Sequence, residues 1–219
     1  MARTITVKGI GKASAKPDYV VLSMELESKS LDYEKAMQEA SEKIEFLNES
    51  LMQIGFGKES IKTTNFYVRS DYESHKDKFG NYSRIFSGYA VCHRLKIEFD
   101  FNSKLLSKAL SSVASCIAKP ELSVSFTVKD PTAVNEALLK SAAENAKKKA
   151  QILCGASGKM LGELVNINYN WAEVNIYSAT HYDMDAECMK ACADASYSID
   201  IEPEDIAAKD TATFVWEIE

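Results

Sequence analysis

The sequence is short of the residues that break regular structure. Its 219 residues include only 9 glycines and 4 prolines, which excludes collagen-like and low-complexity classes. No apolar run approaches the roughly 18 residues that a membrane-spanning helix needs, and the N-terminus lacks a charged, apolar and small-residue export signal. We therefore expect no membrane span and a cytoplasmic location, or a periplasmic one if an export signal has been removed.

An excess of positive charge is also missing. Lysine and arginine number 26 against 32 aspartates and glutamates, so the formal net charge is −6. Without a basic field to attract phosphate backbones, nucleic acid is not expected as a partner. The densest basic run, Lys147-Lys148-Lys149, falls in the last third of a predicted helix, where cations interact favourably with the helix dipole.

The cysteines do not form a disulfide framework. There are five of them, an odd number, and their spacing matches no common scaffold. This pattern is typical of free thiols in a reducing compartment. The positions are Cys92, Cys116, Cys154, Cys188 and Cys192.

Regular structure is instead predicted along most of the chain. Apolar residues alternate where strands are expected and recur every three or four positions where helices are expected. The resulting order indicates an α+β fold, with a mostly antiparallel sheet, three main helices packed on one face and a long β-hairpin. Residues 172–198 are predicted to be an irregular excursion or to contain a short helix. Predicted strands cover 4–10, 19–27, 61–70, 85–99, 122–128, 164–171 and 212–218, and helices begin near 31, 103 and 131.

The stretch GIGKASAKPD, residues 9–18, contains Gly-x-Gly-Lys and raises the possibility of a phosphate loop. A phosphate loop must lead into a helix, whose first N–H groups face the anion. Here a strand is predicted to follow, and Pro17 and Asp18 supply turn chemistry. We therefore interpret the stretch as a bulge or connection between strands, in which Gly9 and Gly11 permit unusual backbone angles.

Several short motifs, taken in their order and spacing, resemble the SIMPL domain family. The resemblance covers nearly the whole chain, so residues 1–219 are predicted to form a single SIMPL domain, with a subdivision possible near residue 102. The motifs are Gly9-x-Gly11 with Pro17-Asp18, Gly55 with Ile61-x-Thr63-x-Asn65, Gly88-Tyr89, Phe126-x-Val128-x-Asp130-Pro131, the helix containing Ala142, Ala146, Lys149 and Ala150, and Gly158 with Leu161-Gly162.

The resemblance implies a function as well as a fold. Members of the family are small α+β proteins found mainly in bacteria, commonly exported, often homo-oligomeric and in some cases associated with oxidative or envelope stress. The family supplies no catalytic set that transfers to this chain. We therefore expect a non-enzymatic, self-associating protein without a cofactor, acting as an assembly or interaction module with itself or with a protein partner.

One alternative function is a metal- or redox-responsive protein. If the segment after Asp185 is helical, Cys188 and Cys192 lie one turn apart on one face, and His181 or Asp185 can complete a tetrahedral zinc site. The same cysteines can also be unpaired thiols on an amphipathic helix. A third possibility is a redox-active pair of cysteines. A disulfide between them would form only after the segment rearranges, because residues one helical turn apart seldom meet disulfide geometry.

A candidate interface is the aromatic group around the long hairpin, since aromatic residues anchor protein interfaces. The alternative is a hairpin that folds back on its own sheet. His93 lies on the apolar side of its strand, which favours a structural histidine over a general base, and Glu25 and Glu27 are interpreted as surface charge. The aromatic group consists of Tyr67, Tyr72, Phe79, Tyr82 and Phe86.

Overall fold

The structure, a computed structural model, describes residues 3–76, 82–169, 174–184 and 201–219. Within these ranges the chain is α+β, as predicted, and has three α-helices. None of the described helices is both long and apolar enough to cross a membrane. The elements are β1 Thr4–Ala15, β2 Tyr19–Ser30, α1 Tyr33–Gln53, β3 Lys62–Lys76, β4 Tyr82–Asp100, α2 Ser103–Ser115, β5 Glu121–Thr127, α3 Thr132–Ala156, β6 Leu161–Tyr169, β7 Tyr177–Met184 and β8 Ile206–Ile218.

The strands form two sheets. One has the order β1-β8-β6 and the other the order β3-β4-β2-β5-β7. Helix α3 packs on β1 and β8, whereas α1 packs on β2 and β4 and also contacts α2. The sequence predicted the antiparallel pairing and the long β3–β4 hairpin, and both are confirmed. The division of the helices between two sheets was not predicted.

The described residues group into two compact units. Unit 1 is built from residues within 1–18, 126–180 and 203–219, and unit 2 from residues within 19–125 and 181–202. Unit 1 contains the three-stranded sheet and α3, and unit 2 contains α1, α2 and the hairpin. The prediction of a single domain, with a subdivision near residue 102, stays a prediction.

The core of unit 2 follows the alternation in the sequence. Val20, Leu22, Met24 and Leu26 of β2 are buried, and each is separated from the next by a more exposed residue. Helix α1 covers this side of the sheet and begins two residues later than predicted. Its cap is Asp32, whose Oδ1 accepts hydrogen bonds from two backbone N–H groups of the first turn.

In unit 1, the prediction that GIGKASAKPD forms a bulge or connection is wrong for residues 9–15, which belong to β1, and holds for residues 16–18, which join β1 to β2. Strand β1 runs unbroken from Thr4 to Ala15 and pairs with β8 without a register shift. Neither Gly9 nor Gly11 has a positive φ. A Cβ at Gly9 would overlap the carbonyl oxygen of Ala142 and lie 2.8 Å from the Ala146 Cβ. The glycines are therefore needed for close approach of the α3 backbone, not for a bend.

Helix α3 also covers the outer edge of β1. The Ile10 N–H donates to Asn145 Oδ1 at 3.0 Å, and the Lys12 N–H donates to Ser141 Oγ at 3.1 Å. The Lys149 ammonium donates to the Lys8 carbonyl at 3.0 Å. These are the backbone groups that an edge strand would otherwise offer to another chain. One lysine of the basic run thus has a structural partner.

The prediction of an irregular excursion at 172–198 needs a correction, because Tyr177–Met184 form strand β7. The strand was missed because its buried positions include a polar residue. Ser178 is buried, and its Oγ donates to the Glu204 carbonyl at 2.7 Å, which satisfies the hydroxyl without an apolar contact. Residues 172–173 and 185–198 of the excursion lie outside the described residues.

Candidate functional site

The β3–β4 hairpin is longer than the sheet to which it belongs. Strand β2 pairs with β4 from Tyr89 to Asp100, whereas β3 continues to pair with β4 as far as Tyr82. Within the described residues, 71–76 and 82–88 are therefore paired only with each other. We call these residues the hairpin arm. A two-stranded ribbon buries little apolar surface by itself, so its side chains are available for contacts with other molecules.

A β-bulge marks the start of the hairpin arm. Asp71 pairs with Gly88, but the next residue, Tyr72, pairs with Phe86, so Ser87 is skipped. Gly88 has φ +137°, a conformation that residues with a side chain rarely adopt. The extra residue reverses the alternation of β4. As a result, Phe86 lies on the same side of the hairpin as Tyr89.

This reversal creates a continuous row of aromatic rings, which we call the aromatic row. Tyr33, the first residue of α1, packs edge-on against Tyr89 with ring centroids 5.6 Å apart. Tyr89 contacts Phe86 at 5.2 Å, and Phe86 contacts Tyr72 at 5.8 Å, both also edge-to-face. Such pairs contribute about 0.5–1.5 kcal/mol each beyond their burial. The row links the helix to the hairpin arm.

The outer end of the aromatic row remains accessible. Tyr72 and Phe86 are exposed, and Tyr82 is 71% exposed at the start of β4. The Arg84 guanidinium lies 5.2 Å from the centre of the Tyr72 ring, within cation–π range. The arm therefore presents aromatic surface together with a cation, a composition that is enriched at protein interfaces.

The five predicted interface residues do not all lie together. Tyr72 and Phe86 are in contact, and Tyr82 is on the same arm. Phe79 lies outside the described residues. Tyr67 is half-buried in the part of the hairpin that pairs with the sheet, opposite Cys92. An interface role for these residues stays a prediction.

Sequence reasoning missed Tyr33, Tyr89 and Arg84. Tyr89 and Phe86 are of opposite parity in a regular strand, so the pattern alone places them on opposite faces. The Gly88-Tyr89 motif was the available signal, because a glycine inside a strand often marks a bulge.

A second cluster surrounds Cys92 on the face of the sheet opposite to α1. Its thiol lies 3.8 Å from Glu27 Oε1, and the same carboxylate oxygen accepts from Arg69 Nη2 at 3.0 Å. A hydrogen bond to the Cys92 sulfur raises the pKa of the Tyr67 phenol. Glu25 of β2 and Arg94 of β4 form the next facing pair on the same side of the sheet, and Arg94 Nε donates to Glu25 Oε2 at 2.8 Å.

These groups line a cavity of about 490 Å³. Each carboxylate of the cluster is paired with a guanidinium on another strand. Glu25 of β2 pairs with Arg94 of the adjacent β4, and Glu27 of β2 pairs across β4 with Arg69 of β3, so the wall carries both charges. The interpretation of Glu25 and Glu27 as surface charge is refined accordingly, because both carboxylates are held by arginines. Exposed ion pairs of this kind contribute about 0–1 kcal/mol.

His93 has the environment of a structural histidine. Its Nε2 is 2.8 Å from Thr63 Oγ1, and its ring packs edge-on against Phe66 at 5.2 Å. Partial burial lowers the pKa of the imidazole, which favours the neutral ring. Both contacts come from β3, so His93 helps to join the two strands of the hairpin.

The predicted metal ligands are only partly described. His181 lies in β7, where it is exposed, and Cys188 and Cys192 lie outside the described residues. Cys92, Cys116 and Cys154 are buried free thiols. Over the ranges that the structure covers, no three His, Cys, Asp or Glu side chains are grouped closely enough to hold a metal ion. The metal or redox site stays a prediction.

Comparison with known proteins places the whole chain in context. Uncharacterized protein YggE of Escherichia coli strain K12 is 25% identical over 169 residues, which are 76% of this chain and 65% of YggE. Proteins of the same name from Escherichia coli O157:H7 and Shigella flexneri match with the same identity and coverage. The chain thus spans about 65% of the length of these curated relatives.

The match to a family model is more extensive. The model named SIMPL, described as a protein of unknown function (DUF541), matches residues 5–216. The matched range runs from β1 to β8 and so includes the glycines that receive α3, the hairpin arm and the bulge at Gly88. The resemblance read from the short motifs is confirmed, and the chain belongs to the SIMPL family.

Proposed function

We propose that this SIMPL family chain is a non-enzymatic interaction module that self-associates through the hairpin arm. The observation that carries the proposal is the extension of β3 and β4 past the end of β2 with aromatic side chains exposed. The association with stress protection belongs to the same proposal and rests on the family resemblance.

The energetics of the hairpin arm favour a partner. Ring surface gains about 25 cal/mol for each Å² removed from water, so covering two or three aromatic side chains contributes several kcal/mol. The arm is already ordered by the Gly88 bulge and by the aromatic row, which lowers the entropy cost of binding. A preformed aromatic surface of this kind is suited to act as an interface anchor.

The charges on the arm favour a second copy as that partner. Asp71 and Glu73 lie on β3 and Arg84 lies on β4, so the arm carries groups of both signs, although Asp71 is also 3.6 Å from Lys29. In a symmetric contact each patch meets the same patch of the other copy. A two-fold arrangement can then place Arg84 of one copy beside a carboxylate or tyrosine ring of the other.

Sedimentation velocity across the micromolar range tests the proposal. We expect the wild-type chain to form a discrete oligomer and Tyr82→Ser to shift the equilibrium toward monomer. Tyr82 is the most exposed aromatic residue in the described part of the arm. Ile117→Ser is the matched control, because Ile117 is similarly exposed at 76% but lies outside the hairpin. A wild-type monomer, or equal loss in both variants, would contradict the proposal.

The alternative function uses His181, Cys188 and Cys192 for metal or redox chemistry. The described residues provide one of these three side chains, and no other observation favours this function. It stays a prediction, as do the cytoplasmic location and the periplasmic alternative.

A further inference from the structure

Helix α3 covers the three-stranded sheet unevenly. The close approach at Gly9 and Gly11 holds the helix over β1 and β8. Strand β6, on the other side of β8, is left largely uncovered. Its Leu164, Val165 and Ile167 are between 48% and 54% exposed, although each is a branched aliphatic residue.

The two edges of this sheet therefore differ in how their backbone groups are covered. Side chains of α3 occupy the outward backbone groups of β1 at Lys8, Ile10 and Lys12. Strand β6 ends the order β1-β8-β6, and within the described residues its outer edge pairs with no strand. Proteins commonly protect such edges with charge or a covering helix. In β6, Glu163 is the single charged residue of nine.

A groove runs beside this edge on the α3 side of the sheet. Its volume is about 520 Å³, and its floor is formed by Phe214 and Trp216 of β8. Ala143, Lys147 and Gln151 follow one another at four-residue intervals on α3 and form one wall, and Leu164 and Ile167 form the other. The groove is thus apolar, with one cation on its rim.

We propose that the outer edge of β6 binds an extended peptide segment of another polypeptide as an added strand. Main-chain hydrogen bonds to β6 would provide the affinity, and side chains on alternate positions would provide the selectivity. One set of side chains would pack beside Leu164 and Ile167 and reach toward the groove. The other set would lie on the opposite face beside Val165, Asn166 and Asn168, so apolar residues are required on the groove side, and threonine is suitable on the other side.

The geometry of β6 favours a peptide over a second copy of the chain. Register shifts lie between Leu161 and Leu164 and between Leu164 and Asn166, whereas Asn166–Tyr169 pair regularly with β8. In a two-fold β6–β6 contact, the bulged half of one copy would face the regular half of the other, and their hydrogen-bond spacings would not match. A flexible peptide can follow the bulged edge.

The charge of β6 also restricts the peptide. A residue directly opposite Glu163 is expected to be neutral or basic, because like charges on facing positions of a strand pair repel each other. The segment expected to bind is therefore extended, rich in aliphatic or aromatic residues, and without an acidic residue at that position.

Fluorescence anisotropy with a defined probe tests the inference on the full chain. The probe is a capped, labelled peptide of about eight residues, near the usual strand length, in which valine alternates with threonine and one end is lysine. The control peptide has proline at the threonine positions and so lacks those backbone donors. Val165→Lys is the test variant. Ile10→Lys is the matched control, because it places the same charge at an exposed isoleucine of β1, the covered edge of the same sheet.

We expect saturable binding of the valine–threonine peptide, weakened at least about tenfold by Val165→Lys and by the proline peptide but not by Ile10→Lys. Hydrogen exchange should show that the peptide protects β6 amides. Binding that is insensitive to Val165→Lys, or no binding, overturns the inference. Protection of the outer β6 amides without peptide also overturns it: if concentration-dependent, a second copy occupies the edge, and if concentration-independent, the chain covers its own edge.

Discussion

The carbonyl oxygen of Ala142 in α3 occupies the space in which a side chain at Gly9 of β1 would begin. Gly11 has the same relationship to Leu138, one helical turn earlier. The Gly-x-Gly pair therefore functions as a groove for a helix backbone. Gly9 and Gly11 pair with β8, and the N–H groups of the neighbouring Ile10 and Lys12 donate to side chains of α3. This part of β1 is therefore not arranged as a phosphate loop.

Gly9→Ala should destabilise unit 1 strongly. The added Cβ overlaps helix backbone, which can yield only by moving α3, and overpacking of this kind costs about 1–3 kcal/mol or more. Urea unfolding followed by circular dichroism measures the change. Gly155→Ala is the control, because a Cβ at that helical glycine meets no atom within 4 Å. It should be neutral or stabilising by up to about 1 kcal/mol, and equal destabilisation by both changes would refute the packing role of Gly9.

Asn145→Ala and Ser141→Ala should each uncover one amide of the β1 edge. The first change removes the acceptor of the Ile10 N–H and the second removes that of the Lys12 N–H. Each lost bond is expected to cost about 1 kcal/mol. Amide-resolved hydrogen exchange by NMR should show faster exchange at Ile10 in one variant and at Lys12 in the other. Each variant is the control for the other, and a uniform change at both amides would argue against individual capping.

Gly88→Ala should disturb the hairpin arm. Alanine is strained at φ +137°, and its Cβ would lie 2.6 Å from the Ser30 carbonyl oxygen. Relief of this strain requires loss of the bulge, which would return Phe86 to the face opposite Tyr89. Loss of the nuclear Overhauser contact between these two rings, with reduced stability, is the expected result. Ser87→Ala, at the skipped position, should preserve the contact, and its loss there would show that the glycine is not its cause.

His93 should make stability depend on pH below neutrality. Burial lowers the pKa of its imidazole from the ordinary value of about 6.5. As the pH falls through about 6.5, the unfolded chain therefore takes up a proton that the folded chain does not, and the free energy of unfolding decreases. The loss ends once the pH is below the folded pKa, and above about pH 7.5 the group contributes no slope.

His93→Gln tests this, since glutamine can still bond to Thr63 Oγ1 but does not titrate. Denaturant unfolding at several pH values should give a constant difference between wild type and variant above about pH 7.5. The difference should change in favour of the variant as the pH falls toward 5. A difference that is the same from about pH 8 to pH 5 would rule out titration of His93 as a contributor.

Much of the fold could be predicted from periodicity. The alternation in β2 and the three-to-four spacing in α1 report one buried face each. Helix α1 begins two residues later than expected, and β2 begins where expected and extends three residues further. Strand β7 could not be predicted in this way, because Ser178 is buried through a hydrogen bond. The continuity of β1 was hidden for a different reason. In a sequence, glycine is usually interpreted as a position of high backbone flexibility. Only the position of α3 shows that Gly9 and Gly11 are needed because a side chain would overlap the helix.

The candidate site was predicted in part. Aromatic residues near the hairpin turn indicated an exposed surface, and Tyr72 and Phe86 are indeed in contact. Their connection to α1 depends on a one-residue bulge. Beyond this bulge, the side chains of the strand lie on the opposite faces from those that regular alternation predicts, and the spacing of apolar residues does not reveal the change. The exposed edge of β6 was also hidden, because its aliphatic residues predict a strand without indicating which side lacks a neighbour.

The position of β8 has a consequence for biosynthesis. This strand lies between β1 and β6, yet it is the last of the described elements to leave the ribosome, and β1 is the first. During translation, α3 can meet β1 while the central partner of the sheet is still missing, so the glycine-lined contact is available early and the long-range pairing closes late. A premature stop before residue 206 would leave β1 and β6 without the strand that joins them.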